Sequence, residues 1–255
     1  MVSVYYNVII TWTLYYLFQS FQDPLPYEEE KNDEGEITMD ASIYFQHTAL
    51  DASPSISHMS TVNWTLFGYL TLAWVAIFMI IYKGIESAGK VVYFTSTFPY
   101  IVMFIMLIRG VTLTGASKGI EFYITPKFDE IFKLDVWIAA STQVFYSLGV
   151  GFSSLIAFGS YNKRNTNFYS YSLSIPIINA LTSIFAGFVV FSVLGYLSHI
   201  TGKDIDDLDL SGSGLAFEAY PAALAKMDGA PFFAFLFFLM LFCLGVGSEF
   251  AMTEV

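Results

Sequence analysis

The sequence predicts an all-α membrane protein of about six spans, and three observations carry that expectation. Apolar runs of membrane length recur along the chain. Only 13% of its 255 residues are charged, against 55% hydrophobic and 18% aromatic, with a mean hydropathy of +0.58; an ordinary soluble domain carries about 25% charged residues. The third observation is a break. The run 139–162, AASTQVFYSLGVGFSSLIAFGSYN, is interrupted near its middle by Ser147-Leu148-Gly149-Val150-Gly151. Each glycine costs about 1 kcal/mol against alanine in a helix interior, and peptide groups left unpaired at that depth cost several times more. Such a break is a packing kink or a binding site. In inverted-repeat transporters, freed carbonyls coordinate cations and a half-helix N-terminus faces an anionic substrate group, and this is the reading adopted.

The elements follow in order. Residues 4–18 are apolar, aromatic and uncharged, but short of the roughly 20 residues a span needs, so they read as the outer part of a longer helix. Residues 23–62 hold nine carboxylates and one basic residue, Lys31; this composition predicts a long aqueous loop with no core of its own. Residues 66–82 form the second span, with Trp64 as an interfacial anchor, and 83–90 a short loop. Residues 91–108 form the third span, with Pro99 as a kink, followed by a loop over 109–135 that contains a surface helix. Residues 136–158 are the broken span, 160–172 a short polar connection and 173–198 the fifth run. Residues 199–230 are acidic, with 215–225 a re-entrant or surface helix, and 231–250 begin the sixth span.

Basic residues set the orientation. The connections 83–90 and 160–172 carry Lys83, Lys90, Lys163 and Arg164, whereas the three longer ones hold six Lys between them beyond Arg109. That density puts the short connections in the cytoplasm and the loops 23–62, 109–135 and 199–230 outside.

Several function classes are excluded. A net charge of −11 leaves no basic patch for nucleic acid. The spans contain no Ser/His pair, carboxylate pair or His cluster, so no enzyme is expected. His47, His58 and His199 lack metal-ligand spacing, and Cys243 reads as a packed thiol. An ion channel is disfavoured, since no span carries a ring-forming carbonyl motif or a charged pore face.

The polar residues within the runs are more informative. Gln143 and Ser147 are four apart and share a helix face; Asn179 and Ser183 repeat the spacing on the next helix. Ser248 follows Leu244 by four in a glycine-interrupted stretch, and Tyr6 and Asn7 lie in the first segment. Amide and hydroxyl oxygens are hard ligands for an alkali cation, and their N–H and O–H groups can hold a halide. Each such residue alone is as well explained as interhelical glue; two same-face pairs, one ending at a break, bring the ion site level with that explanation. Tyr6, Tyr146 and Phe152 could line a pocket beside the break or simply pack. Glu249 and Glu254 stand near the end of the last run.

Dispersed motifs in one order then carry a resemblance. Tyr5-Tyr6-Asn7, Gly89-Lys90-Val91-Val92-Tyr93-Phe94-Thr95, Phe98-Pro99-Tyr100, Arg109-Gly110, Val136-Trp137, residues 143–151, Ser160-Tyr161-Asn162, Gly214-Leu215-Ala216-Phe217 and Ala219-Tyr220-Pro221 resemble the sodium- and chloride-coupled neurotransmitter symporter family. The resemblance implies that residues 1–255 are a single partial transporter domain. It would be a fragment of the inverted-repeat symporter fold running from the family's third to its eighth helix, with an unwound sixth helix. It implies co-transported Na+ and Cl− with no organic cofactor, a small amine or amino-acid substrate, surrounding lipid, homo-oligomers and a multi-pass place in the plasma membrane.

Residue by residue, the resemblance places Val2, Tyr6, Tyr146, Ser147, Phe152 and Ser248 in the substrate pocket. Ser147 and Asn179 match the first sodium site; Leu244, through its carbonyl, Gly247 and Ser248 match the second. Gln143, Ser147, Asn179 and Ser183 match the chloride site, and Tyr161 a gate aromatic. Chloride-independent members carry a carboxylate where Ser183 stands, so chloride dependence is expected. Gly247 departs from the aspartate of many animal members, and residues 23–62 lack their cysteine pair. The alternative expectation is a truncated, non-transporting chain that associates with full-length transporter.

Overall fold

A computed structural model describes residues 2–32, 37–53, 55, 57–58, 61–82, 85–151, 154–160, 162–208 and 212–253. The first helix, α1 (Val2–Gln19), carries Tyr15 and Tyr16 near its end, and the chain then enters the acidic stretch. That stretch contains a two-residue strand β1 (Glu30–Lys31) paired antiparallel with β2 (Ile37–Met39). A single turn α2 (Ala41–Ile43) follows, capped by the Asp40 carboxylate, which accepts from the Ile43 N–H at 2.8 Å. It winds on into a wider turn, Tyr44–Ala49. The long helices α3 (Trp64–Tyr82) and α4 (Ile85–Thr112) are joined to the next by the short α5 (Ala116–Ile124) and a turn Phe128–Phe132. Then come α6 (Leu134–Ser147), α7 (Ser154–Ser160), α8 (Phe168–Thr201), the wide turn Leu215–Ala219, α9 (Tyr220–Ala225) and α10 (Ala230–Thr253).

Among the described residues, four helices are long and apolar enough to cross a membrane: 64–82, 91–112, 168–201 and 230–253. This supports the mostly helical, multi-pass membrane class. Among the described residues, the other two expected runs are not in that set, the first being too polar at Tyr5, Tyr6, Asn7, Tyr15, Tyr16 and Gln19 and the second too short. The run 2–19 has 18 residues, and the run 134–160 is split into segments of 14 and 7.

Some boundaries move. The stretch 83–90, expected as a loop, is already helical from Ile85, because Ala88, Glu86 and Lys90 are good helix formers. The helix after the 160–172 connection begins at Phe168, where the Asn167 side chain accepts from the Ser170 N–H. Pro99 and Pro176 both lie within continuous helices.

The larger correction concerns the loops. Residues 23–62, expected to bury nothing, contribute Leu25, Tyr27, Ala41, Tyr44, Phe45 and Ala49 to the main core. The stretch 215–225, expected as a re-entrant or surface helix, buries Phe217, Tyr220, Ala223 and Leu224. The reason is aromatic content. Tyr16 is 0% exposed and is ringed by Tyr27, Tyr44, Phe45, Phe217 and Phe238 at centroid separations of 4.9–6.4 Å. Its hydroxyl donates to the Phe217 carbonyl at 3.1 Å, and the Tyr15 and Tyr44 hydroxyls meet at 2.9 Å. Buried Tyr O–H groups need such partners, so these bonds fix how the loops lie over the helices. Burial pushes the phenols of Tyr27, Tyr44 and Tyr220 above the usual range.

An ion-pair cluster ties the same loops together: Glu29 meets Lys226 at 2.5 Å and Lys31 at 2.9 Å. Hydrogen bonds from Lys226 and Lys31 hold the Glu29 carboxyl below its ordinary value.

Helix packing rests on close approach. The α5–α8 seam is lined by glycine: a Cβ on Gly119 would meet the Phe191 carbonyl oxygen at 1.9 Å, and one on Gly195 the Gly115 carbonyl oxygen at 2.6 Å. Along α1 and α10, which also pack together, a Cβ on Gly245 would meet Ile10 Cγ1 at 2.9 Å.

Candidate functional site

The end of α6 is built by its glycines. Helix geometry stops at Ser147, and Gly149 (φ 67°) and Gly151 (φ 93°) then take left-handed backbone that a side chain would strain. The turn closes on the helix: the N–H groups of Leu148, Gly149 and Val150 bond the carbonyls of Val144, Tyr146 and Phe145 at 3.0–3.1 Å. Those three carbonyls, expected to be free, are therefore satisfied within the chain. The oxygens offered at this helix end are instead side-chain ones.

The Ser147 hydroxyl donates to Asn179 Oδ1 across to α8 at 3.0 Å. One turn on, the Ser183 hydroxyl donates to the Asn179 backbone carbonyl, also at 3.0 Å. Ser147, Asn179 and Ser183 thus form one chain of polar groups between two helices. Gln143 stands one turn before Ser147 on α6, which buries no residue. Beside this group, the Tyr100 and Thr182 hydroxyls meet at 2.8 Å and join α4 to α8.

A second group lies on α1 and α10. The Ser248 hydroxyl donates to the Leu244 carbonyl at 3.1 Å. Tyr6 lies near Ser248, with Tyr146 and Glu249 as further polar neighbours. Gly247 faces α4, where a Cβ would find Thr95 Oγ1 at 3.7 Å. Through Tyr146, one residue before Ser147, the two groups approach each other. Val2 stands apart at the exposed start of α1. Phe152, Tyr161 and Glu254 lie outside the described residues.

Two residues that sequence reasoning left out of the site lie beside it. Asn7 and Glu249 are both 0% exposed. Their signal was plain: an amide next to Tyr6, and a carboxylate next to Ser248 within an apolar run, where ionisable groups are costly and mark function. The described residues contain no group of three or more His, Cys, Asp or Glu that could hold a metal ion.

Comparison with known proteins follows the same lines. The profile of the Sodium:neurotransmitter symporter family matches residues 1–255. The mouse sodium- and chloride-dependent neutral and basic amino acid transporter B(0+) is 42% identical over 99% of this chain and 47% of its own length. The mouse sodium- and chloride-dependent GABA transporter 2 is 38% identical over 100% of this chain and 45% of its own. The creatine transporter of Torpedo marmorata is 40% identical over 99% and 44%. The chain thus spans a little under half the length of these relatives, which are transporters rather than enzymes. Matched along its whole length, and built of apolar helices that carry paired polar groups in place of a catalytic constellation, the chain belongs to the sodium:neurotransmitter symporter family.

Proposed function

We propose that this protein serves sodium-coupled, chloride-dependent symport of a small amino acid or amine across the plasma membrane, by alternating access around the α6 end. The observation that carries the reading is the Ser147–Asn179 hydrogen bond where α6 gives way to its glycine turn. It brings two hard oxygen ligands together at a helix end of a polytopic membrane protein.

In this reading Ser147 and Asn179 hold the first sodium ion. The Leu244 carbonyl, Gly247 and Ser248 hold the second. The hydroxyls of Ser147 and Ser183, with the amides of Gln143 and Asn179, hold chloride. Because the Ser147 hydrogen now points at Asn179 Oδ1, a cation binding that oxygen turns the hydroxyl and frees its proton for the anion. Val2, Tyr6, Tyr146, Ser147, Phe152 and Ser248 surround the organic substrate, and Tyr161 closes the cytoplasmic side. The substrates for which these relatives are named, amino acids, GABA and creatine, all carry a carboxylate and a cationic nitrogen. That favours a zwitterion here, its carboxylate received by the Tyr6 hydroxyl. No observation favours the non-transporting alternative.

Uptake of radiolabelled leucine, GABA and creatine by cells expressing the protein at its full natural length tests this. Replacing sodium with N-methylglucamine abolishes uptake, and replacing chloride with gluconate depresses it. Ser183→Glu supplies a fixed negative charge and relieves the chloride requirement. Uptake indifferent to sodium overturns the proposed function, and chloride sensitivity unchanged in Ser183→Glu removes Ser183 from the anion site.

A further inference from the structure

Away from the polar groups of α6 and α10, three separate stretches of chain enclose a cavity of about 560 Å³. The β1–β2 hairpin and the start of α2 form one wall, the end of α8 and the residues after it another, and the stretch 218–226 the third. That volume lies within the range of small-molecule sites, roughly 300–1,000 Å³. None of the lining residues belongs to the proposed substrate, sodium or chloride sites.

The charged residues of the lining are of two kinds. Glu29, Lys31 and Lys226 satisfy one another, at 2.9 Å and 2.5 Å. Asp40 is taken up as the cap of α2, accepting from the Ile43 N–H at 2.8 Å. Lys203 and Glu218, by contrast, have no ion-pair partner among the described residues, and they carry opposite charges. Their backbones are nevertheless fixed. Lys203 follows Gly202, whose left-handed backbone (φ 70°) ends α8, and its carbonyl accepts the Ser198 hydroxyl at 2.6 Å. Glu218 follows Phe217, which is 2% exposed and whose carbonyl accepts the Tyr16 hydroxyl at 3.1 Å. Between them the lining is apolar, with Leu197, Ile200, Leu208 and Ala222. Two unpaired charges held on different walls reduce the ordering cost of a ligand that carries both. A ligand with a single charge gains one of these partners and faces the other as a like charge.

We propose that this cavity is a second small-molecule site, which takes a zwitterionic amino acid with an apolar side chain. The ligand carboxylate meets Lys203 Nζ, its ammonium group meets the Glu218 carboxylate, and its side chain packs on Leu197, Ile200 and Leu208. Occupancy needs no sodium, because the site's two charges are both supplied by the protein. The occupant bridges the stretch 218–226 to α8, the helix that carries Asn179 and Ser183. The inference goes beyond the symport reading and does not rest on it.

The test is equilibrium binding of radiolabelled leucine to the full-length protein in detergent, with sodium replaced by N-methylglucamine. Wild-type protein binds saturably. In Glu218→Gln and in Lys203→Met the dissociation constant rises by about tenfold, the effect of losing one charge-assisted bond. On the wild-type protein, leucinol, which lacks the carboxylate, and 4-methylpentanoate, which lacks the ammonium group, each compete about tenfold more weakly than unlabelled leucine. This second measurement uses no variant, so it holds even where a substitution impairs folding. Wild-type protein without saturable binding in the absence of sodium overturns the proposal. So does binding that either variant leaves unchanged, or that leucinol or 4-methylpentanoate displaces as well as leucine does. Absence of sodium-driven uptake contradicts the symport reading, whereas these binding outcomes decide the cavity alone.

Discussion

Gly119→Ala probes the contact that positions α8, the helix carrying Asn179 and Ser183. The added methyl would sit 1.9 Å from the Phe191 carbonyl oxygen and 2.8 Å from Gly195 Cα. Both neighbours are backbone, so no side chain can swing aside. Restoring ordinary contact at 3.4 Å requires α5 to retreat from α8 by roughly 1.5 Å. Overpacking of this kind costs about 1–3 kcal/mol, with rigid neighbours at the upper end. Alanine returns about 1 kcal/mol of helix propensity, leaving a net loss of about 2 kcal/mol. For a chain of this size that is a fall of about 4–8 °C in Tm. Gly68→Ala is the matched control, because a Cβ there meets nothing within 4 Å. It gains the propensity without the clash and melts at or slightly above wild type. The assay is thermal unfolding in detergent micelles, followed by size-exclusion recovery after heating. Gly119→Ala protein that melts with wild type, or with the Gly68→Ala control, would refute the close α5–α8 seam.

Other outcomes follow from single contacts. Tyr16→Phe keeps the ring packing and leaves the buried Phe217 carbonyl without its donor, costing about 1–3 kcal/mol in the same melt; an unchanged Tm would show that the bond contributes nothing. Glu29→Gln removes a loop ion pair worth about 0.2–1 kcal/mol at neutral pH. Because the folded pKa of Glu29 is lowered by Lys226 and Lys31, its stabilisation is complete above the unfolded value near 4.3 and fades as pH falls through the folded one. The gap in Tm between wild type and Glu29→Gln is therefore flat through neutral pH and closes as the medium is acidified below about pH 4; a gap that widens on acidification contradicts the sign. Asn179→Ala removes the oxygen that Ser147 contacts, and raises the sodium needed for half-maximal uptake by about fivefold, the ratio for a loss of ~1 kcal/mol; superimposable sodium curves take Asn179 out of the ligand set.

Much of the molecule was legible along the chain because its signals are local. The run 66–82 became α3 over Trp64–Tyr82, and 231–250 became α10 over Ala230–Thr253, since uninterrupted apolar sequence leaves a helix few alternatives. The end of α6 at Ser147 follows from Gly149 and Gly151, whose positive φ is a property of glycine itself. The i, i+4 spacing of Asn179 and Ser183 likewise sets one face of α8, whatever packs on it. The boundary at Ile85 was missed because basic residues that mark a membrane exit are also good helix formers.

What sequence alone determined is the class of molecule: apolar helices with neutral polar pairs at intervals, and a glycine turn in one of them. Tertiary structure decided which of those groups meet. Only packing placed Ser147 against Asn179, gathered Tyr27, Tyr44 and Phe217 around Tyr16, and buried Asn7 and Glu249. The physical reason is range. Helix formation reads neighbours within one or two turns, whereas a buried hydroxyl, ring or carboxylate takes its energy from partners up to two hundred residues away, and nothing in the local pattern names them.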